Sequence, residues 1–368
     1  MRCRGLSLAL LHVLGLVGLL VALVVACGTV SEGAVGPGGQ LGADGNGPSG
    51  ADAGDSATGR ASLDASGDTG ATAAGGRNWA AHPAIVDVAA PAALFAVSDV
   101  HGGYDRLTSL LLGNKLLTRA PSTPTDAHWG GAGATLVVTG DLIDKGPSGV
   151  EVIDFLMALQ ADALANGGLV VVTLGNHEAE FLVDPTNTKA SGPNGIDAEL
   201  AADGIAPATL ASAADPRGAW LRALPFGARA GAWFFSHAGD TGGQTLTVLD
   251  AALEAAVKAH ADYNDPAIVG PSSILESRSW YTASVVTQNA SALGVKHIVF
   301  GHDPNALGVK GAIAVAFGNA LVRIDCGMSP GVDDSKGKLL RITQQGASDV
   351  VDELDPAGAS RALFQAPR

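Results

Sequence analysis

Ser98-Asp99-Val100-His101-Gly102, Gly140-Asp141-Leu142-Ile143-Asp144-Lys145-Gly146, Leu174-Gly175-Asn176-His177-Glu178, Ser236-His237-Ala238-Gly239 and Gly301-His302-Asp303-Pro304 follow one another along the chain, each directly after a short apolar run. Those runs, residues 94–98, 135–139, 169–173, 232–236 and 297–300, read as buried strands, because short apolar stretches bounded by glycine and polar residues suit a strand covered on both faces. In layered α/β folds the carboxyl ends of such strands are where ligands bind. A lone Asp-x-His is usually accidental, and a lone histidine at a strand end is usually structural. An ordered series of five, each at a strand end, is a different matter.

The residue types specify a chemistry. Asp99 and His101 stand two apart on a tight turn and can face one ion. Asp141 has two carboxylate oxygens and can bridge to a second ion, which Asn176, His237 and His302 would complete. Mixed imidazole and carboxylate ligands suit Mn, Fe or Zn better than Ca or Mg. Two such ions roughly 3.5–4 Å apart would clamp a phosphoryl group and generate hydroxide for in-line attack.

Further candidate strands lie at 312–316, 321–325 and 339–342, and candidate helices at 104–113, 149–165, 218–223, 247–261 and 285–293. The mixture predicts a layered α/β fold. Three strands in succession near the C-terminus imply hairpins.

With these motifs in place the chain resembles the calcineurin-like metallophosphoesterases, and within them the phosphoprotein phosphatase family. That family reads Gly-Asp-x-His-Gly, Gly-Asp-x-Val-Asp-Arg-Gly, Gly-Asn-His-Glu, His-Gly-Gly and a late histidine. The His237-Ala238-Gly239 and Gly301-His302-Asp303-Pro304 motifs resemble the bacterial branch of Shewanella-like protein phosphatases. So do Leu221-Arg222-Ala223-Leu224-Pro225 and Ile324-Asp325-Cys326-Gly327-Met328-Ser329. The resemblance implies a β-sandwich flanked by helices, with a dinuclear metal site at the strand ends. It implies that Asp99, His101, Asp141, Asn176, His237 and His302 bind the metals, that His177 protonates the leaving oxygen, and that Asp144 orients His177. Lys145 stands where the family has a phosphate-binding arginine; it keeps the charge without the two-pronged grip. Thr282 stands at the place of the second arginine, which makes Arg278 the neighbouring candidate for phosphate binding. Asp303 is placed to orient His302.

The implied activity is a metal-dependent phosphatase acting on phosphoserine, phosphothreonine or phosphotyrosine in proteins, or on a small phosphoester. Two alternatives stand beside it: a dinucleotide polyphosphate hydrolase, and a weakly active phosphate-binding module in which Lys145 and Thr282 have cost the site its turnover. A net charge of -14 argues against a nucleic-acid partner, which would call for a basic footprint.

Outward from the motifs, four segments are expected. Arg2 and Arg4 precede an apolar run over 6–26 that ends at Cys27, the pattern of an export signal with a lipidation site; 1–26 is read as leader, and lipid on Cys27 as the anchor to a bacterial cell envelope. The same run is long enough for an uncleaved membrane helix, since ~20 apolar residues span a bilayer. Residues 27–78, almost devoid of large apolar side chains, read as a tether that cannot bury enough surface to offset its chain entropy. The catalytic domain is expected over 79–346 and a C-terminal tail over 347–368. Residues 184–218, rich in Pro, Gly, Asn and Asp, read equally as a lid or a surface excursion.

Overall fold

The computed structural model describes residues 77–260, 263–330, 332 and 336–368. The leader and nearly all of the expected tether, Cys27 included, lie outside the described residues.

Two sheets form a sandwich. One has the order β1 (Ile85–Val88), β5 (Gly227–Ala230), β6 (Trp233–Ser236), β7 (His297–Phe300), β9 (Leu321–Arg323), β8 (Ala314–Ala316). The other has the order β12 (Ser360–Pro367), β11 (Ser348–Leu354), β10 (Leu339–Gln345), β2 (Ala93–Val97), β3 (Thr135–Val138), β4 (Leu169–Val172). Strands β2, β3 and β4 are parallel neighbours, as are β6 and β7.

Alternate side chains of each strand point to opposite faces, and here both faces are covered. Leu94, Ala96, Val137, Val171, Phe235, Val299, Val322 and Leu340 fill the space between the sheets. Phe95, Val97, Leu136, Val138, Val172, Phe234 and Ile298 turn the other way and pack in the second apolar cluster, with α1 (Tyr104–Gly113) and α2 (Gly149–Ala165). Coverage on both faces is why these strands read as unbroken apolar runs.

The structure moves both edges of the expected domain. Residues 348–367 are not a tail: β11 and β12 extend the sheet by antiparallel pairing onto β10. Val351 and Leu354 are buried there, and the acidic residues of the strand have partners: Asp349 accepts from Trp233 Nε1 at 2.9 Å, Asp352 from Arg341 at 2.7 Å and Glu353 from Arg361 at 2.6 Å. At the other edge Arg77, expected in the tether, donates to the carbonyls of Pro83 at 2.7 Å and Leu224 at 2.9 Å.

Residues 184–218 also pack. They form α4 (Ile196–Ala202), α5 (Pro207–Leu210) and the start of α6 (Pro216–Ala223), with Ile196, Leu200 and Leu210 buried. Glu199 of α4 caps α2, accepting from Gly149 N at 2.7 Å and Val150 N at 2.8 Å. Burial and the neighbouring Glu151 carboxyl push the Glu199 pKa up to about 8 from 4.5. A carboxyl whose pKa rises on folding binds its proton more tightly in the folded state, so its contribution is present at low pH and lost as pH climbs from about 4.5 towards 8. Glu151→Gln removes the like charge. Thermal melting of this variant is expected to match the parent at pH ~5 and exceed it at pH ~8.5 by no more than roughly 2–4 °C, the shift that about 1 kcal/mol gives in a domain of this size, solvent screening included.

Candidate metal centre

The carboxyl ends of β2, β3 and β4 in one sheet meet those of β6 and β7 in the other. Asp99 and His101 leave β2, Asp141, Asp144 and Lys145 leave β3, and Asn176 and His177 open α3 (Asn176–Val183) after β4. His237 follows β6 and His302 follows β7. Asp99, His101, Asp141, Asp144, Asn176, His177, His237 and His302 are all buried.

The backbone is strained where these residues sit. Asp99, His101, Asp141, Asp144, Lys145 and His302 have φ between 45° and 66°, a region that costs non-glycine residues about 1–3 kcal/mol each and persists where the surroundings impose it. The loops also approach too closely for a side chain: a Cβ on Gly175 would lie 2.1 Å from Asp141 N. Glu178 ties them together. Its carboxylate accepts from Asp141 N at 2.9 Å, Leu142 N at 2.7 Å, Ile143 N at 3.2 Å and Gly175 N at 2.9 Å. Burial and the Asp141 charge push its pKa up to about 7 against those donors.

Two groups of ligand-type atoms share Asp141: His101, Asp141 and His177 form one, and Asp141, His237 and His302 the other. His101 Nδ1 bonds the Ile143 carbonyl at 3.0 Å and His237 Nδ1 the Thr139 carbonyl at 2.8 Å. A carbonyl only accepts, so each Nδ1 carries the proton. The Nε2 atoms therefore face inward, 3.4 Å from Asp141 Oδ2 for His101 and 3.2 Å from Asp141 Oδ1 for His237. Asn176 Oδ1 lies 3.0 Å and His302 Nδ1 3.2 Å from the same His237 Nε2. Asp99 accepts from the His302 N–H at 3.0 Å and from the Ser98 hydroxyl.

Acceptors converging on one point fit a cation. Burial opposes charge on His237, but Asp141 and Asp99 outweigh it and raise its pKa to about 9. Burial holds His101 well below the usual imidazole range, and His302 is lowered by burial and by His237. Two carboxylates, inward imidazoles and an amide oxygen make a donor set that fits metal ions.

The remaining predicted residues fall around this cluster. His177 Nδ1 bonds Asp144 Oδ2 at 2.7 Å, and His177 Nε2 lies 3.8 Å from Asp141 Oδ2. The other Asp144 oxygen accepts from Ile196 N at 2.9 Å, so the packed insertion braces this pair. The Lys145 ammonium reaches His101 Nε2 at 2.9 Å. Arg278, half-exposed, donates to the His302 carbonyl at 3.2 Å and lies 3.6 Å from Asp303. Thr282 is a helix cap: its hydroxyl accepts from Val285 N at the start of α9 (Ala283–Leu293). Asp303 does not orient the His302 ring; it accepts from the Tyr281 hydroxyl at 3.0 Å. Arg323, buried on β9, donates to the carbonyls of Pro304 at 2.8 Å and Ala312 at 2.9 Å and so fixes the loop leaving His302.

Sequence reasoning assigned no role to Glu178 or Glu276. Glu178 stands three residues after the helix cap Gly175, the capping-box spacing, which marks it as a loop-binding carboxylate. Glu276 accepts from Asn176 Nδ2 at 2.8 Å across 100 positions of sequence, and no local pattern announces it.

Comparison with known proteins agrees with this geometry. The profile of the family described as calcineurin-like phosphoesterase matches residues 93–306. Shewanella-like protein phosphatase 1 of Plasmodium berghei is 32% identical over 85 residues, 23% of this chain and 22% of that protein. The symmetrical bis(5'-nucleosyl)-tetraphosphatase of Salmonella paratyphi B is 31% identical over 134 residues, 36% of this chain and 37% of that protein. The chain thus matches well under half the length of these relatives. The cold-active protein-tyrosine phosphatase of a psychrophilic Shewanella superposes with a TM-score of 0.60 at 21% identity, over 76% of this chain and 82% of that one. A protein serine/threonine phosphatase from Saccharomyces cerevisiae does so with a TM-score of 0.51 at 14% identity, over 71% and 77%. The family match covers more than half of the chain and takes in each strand-end residue from Asp99 to His302, and on that ground this chain belongs to the calcineurin-like phosphoesterase family.

Proposed function

We propose that the chain is a metal-dependent phosphatase that hydrolyses phosphomonoesters, with phosphorylated protein side chains as its substrate class. One observation supports it above the rest: a buried His–Asp pair stands at the edge of a cluster suited to two cations. Asp99, His101 and Asp141 would hold one ion, and Asp141, Asn176, His237 and His302 the other; Mn, Fe and Zn suit this donor set. When bound, such ions supply Lewis-acid stabilisation of the phosphoryl charge and a nucleophile at neutral pH.

The chain's own residues do the rest. Asp144 accepts a hydrogen bond from His177 Nδ1 at 2.7 Å, which fixes the orientation of the ring. His177 Nε2 then faces the cluster and can give its proton to the departing oxygen, which would otherwise leave as an alkoxide. Lys145 and Arg278 place positive charge on two sides of the cluster for the phosphate oxygens.

The Salmonella relatives favour a second reading, hydrolysis of dinucleotide polyphosphates. Turnover of phosphopeptides and of dinucleotide polyphosphates by the Mn-loaded chain separates the two. The proposal expects kcat/KM to favour phosphopeptides; a preference for the dinucleotide would replace it. The non-catalytic alternative is tested in the same assay by restoring arginine at Lys145 and Thr282: activity confined to the double variant would support it. Thr282→Arg also removes a helix cap, at about 1 kcal/mol.

We also infer attachment to a bacterial envelope through lipid on Cys27. Its support is the pattern of residues 2–27. Among the described residues no helix is long and apolar enough to cross a membrane. Metabolic labelling with a fatty acid, lost in Cys27→Ala, tests it.

A further inference from the structure

An asparagine offered to a metal ion has a problem that aspartate lacks. Its amide has an acceptor end and a donor end, related by a half-turn about one bond, and only the oxygen can ligate a cation. Turned the wrong way, Asn176 would present N–H groups to the space it shares with Asp141 and His237. Something must select the end.

The structure holds one candidate. Glu276 Oε1 accepts from Asn176 Nδ2 at 2.8 Å, while Asn176 Oδ1 faces His237 Nε2 at 3.0 Å. Oε1 is the acceptor in this contact, so it pairs with the NH2 end and turns the amide oxygen inward. The second Glu276 oxygen lies 3.9 Å from His302 Nε2. The Glu276 main chain also meets the His302 ring, a contact that does not depend on the Glu276 carboxylate.

Glu276 is itself held in place. Its loop is tied to the β6 end, where Ala238 N donates to the Ile274 carbonyl at 2.9 Å, and is anchored by the buried side chains of Ile274 and Leu275. Ser277 Oγ donates to Asp240 at 3.1 Å one residue on. Lys189, from the packed insertion, lies 3.8 Å from Glu276 Oε1 and pairs with Glu180, one turn after Asn176 on α3.

We propose that Glu276 is a positioning residue: it selects the ligating end of Asn176, and so sets the affinity of one of the two ion positions. This rests on the reading of Asn176 and His302 as ion ligands. The segment 184–218, which contributes Lys189 and also braces Asp144 through Ile196, then acts on the site from behind rather than as a cover over it.

The test is Mn²⁺ titration of the full chain, purified in detergent, by calorimetry, with electron paramagnetic resonance to detect spin coupling between neighbouring ions. Glu276→Ala is expected to weaken one Mn²⁺ position by about 10–100-fold, the usual cost of losing an outer partner of a ligand, to leave the other unchanged and to remove the coupled signal. Glu276→Gln keeps the volume and one acceptor oxygen and should lose less; it also serves if the alanine variant does not fold. The decisive background is Asn176→Asp, whose two oxygens are equivalent and need no selection. There Glu276→Ala should cost nothing. An equal cost in both backgrounds would overturn amide selection and leave Glu276 a packing residue. Two Mn²⁺ bound as tightly by Glu276→Ala as by the parent would overturn the inference alone, whereas a parent chain lacking a second Mn²⁺ position would overturn the reading beneath it.

Discussion

Asp141→Asn is expected to lower kcat/KM by at least about 10²–10³-fold, the range for losing a preorganised charge-stabilising group, while the chain stays folded. Asp141 belongs to both ligand groups. Its Oδ1 lies 3.2 Å from His237 Nε2 and accepts the His177 N–H at 3.1 Å, and its Oδ2 lies 3.4 Å from His101 Nε2. Asparagine keeps the volume and also tolerates the φ of 52° found here, so the fold has little reason to fail. One end of the new amide, however, must present N–H groups to imidazole nitrogens that face inward, and one negative charge is gone. The expected signature is loss of turnover together with loss of tight binding at both ion positions, at a nearly unchanged melting temperature. Retained binding of two ions would show that Asp141 does not bridge.

His177→Asn is expected to show a different signature. Two ions stay bound, and kcat falls by about 10²–10⁴-fold, the usual worth of a positioned general acid. The loss should depend on the leaving group. A nitrophenolate departs without a proton and should suffer least; a serine-like alkoxide needs one and should suffer most. The His177 geometry permits a second role, because Nε2 lies within the group formed with His101 and Asp141. Were His177 an ion ligand, the variant would lose an ion and the rate loss would not vary with the leaving group. The hydrogen bond to Asp144 and its brace from Ile196 favour the acid.

The strand ends are legible in the sequence for a physical reason. β2, β3, β4, β6 and β7 are covered on both faces, and a strand covered on both faces becomes an apolar run that stops where the ligands begin. The strands that escaped are those with a polar side. β1 and β5 carry Asp87 and Arg229, which pair across the edge of the sheet at 2.9 Å. β11 hides its Val351 and Leu354 among acidic residues whose partners, Trp233, Arg341 and Arg361, lie elsewhere in the chain. α3 escaped because Asn176-His177-Glu178-Ala179-Glu180 serves the site on one side and has little apolar periodicity to show.

The site divides in the same way. Side chains that converge on the cluster come in compact motifs, and residue type alone points to their chemistry. Contacts that brace them from behind do not. The Ile196 N–H on Asp144 is a backbone group that any residue supplies, and the Glu276 carboxylate on Asn176 arrives from a loop with no motif. Thr282 shows the limit of carrying a family position over by sequence, and Arg278 is its neighbour. Thr282 caps a helix here, while Arg278 leans on the His302 carbonyl.

The most direct test of the whole account is turnover of a chromogenic phosphomonoester by the full chain after its metal has been stripped and Mn²⁺ added back in counted equivalents. The account predicts no turnover in the stripped chain and recovery that rises to a plateau at two ions per chain. Turnover that survives stripping, or a chain that holds two ions and hydrolyses neither the phosphomonoester nor a phosphopeptide, would contradict it.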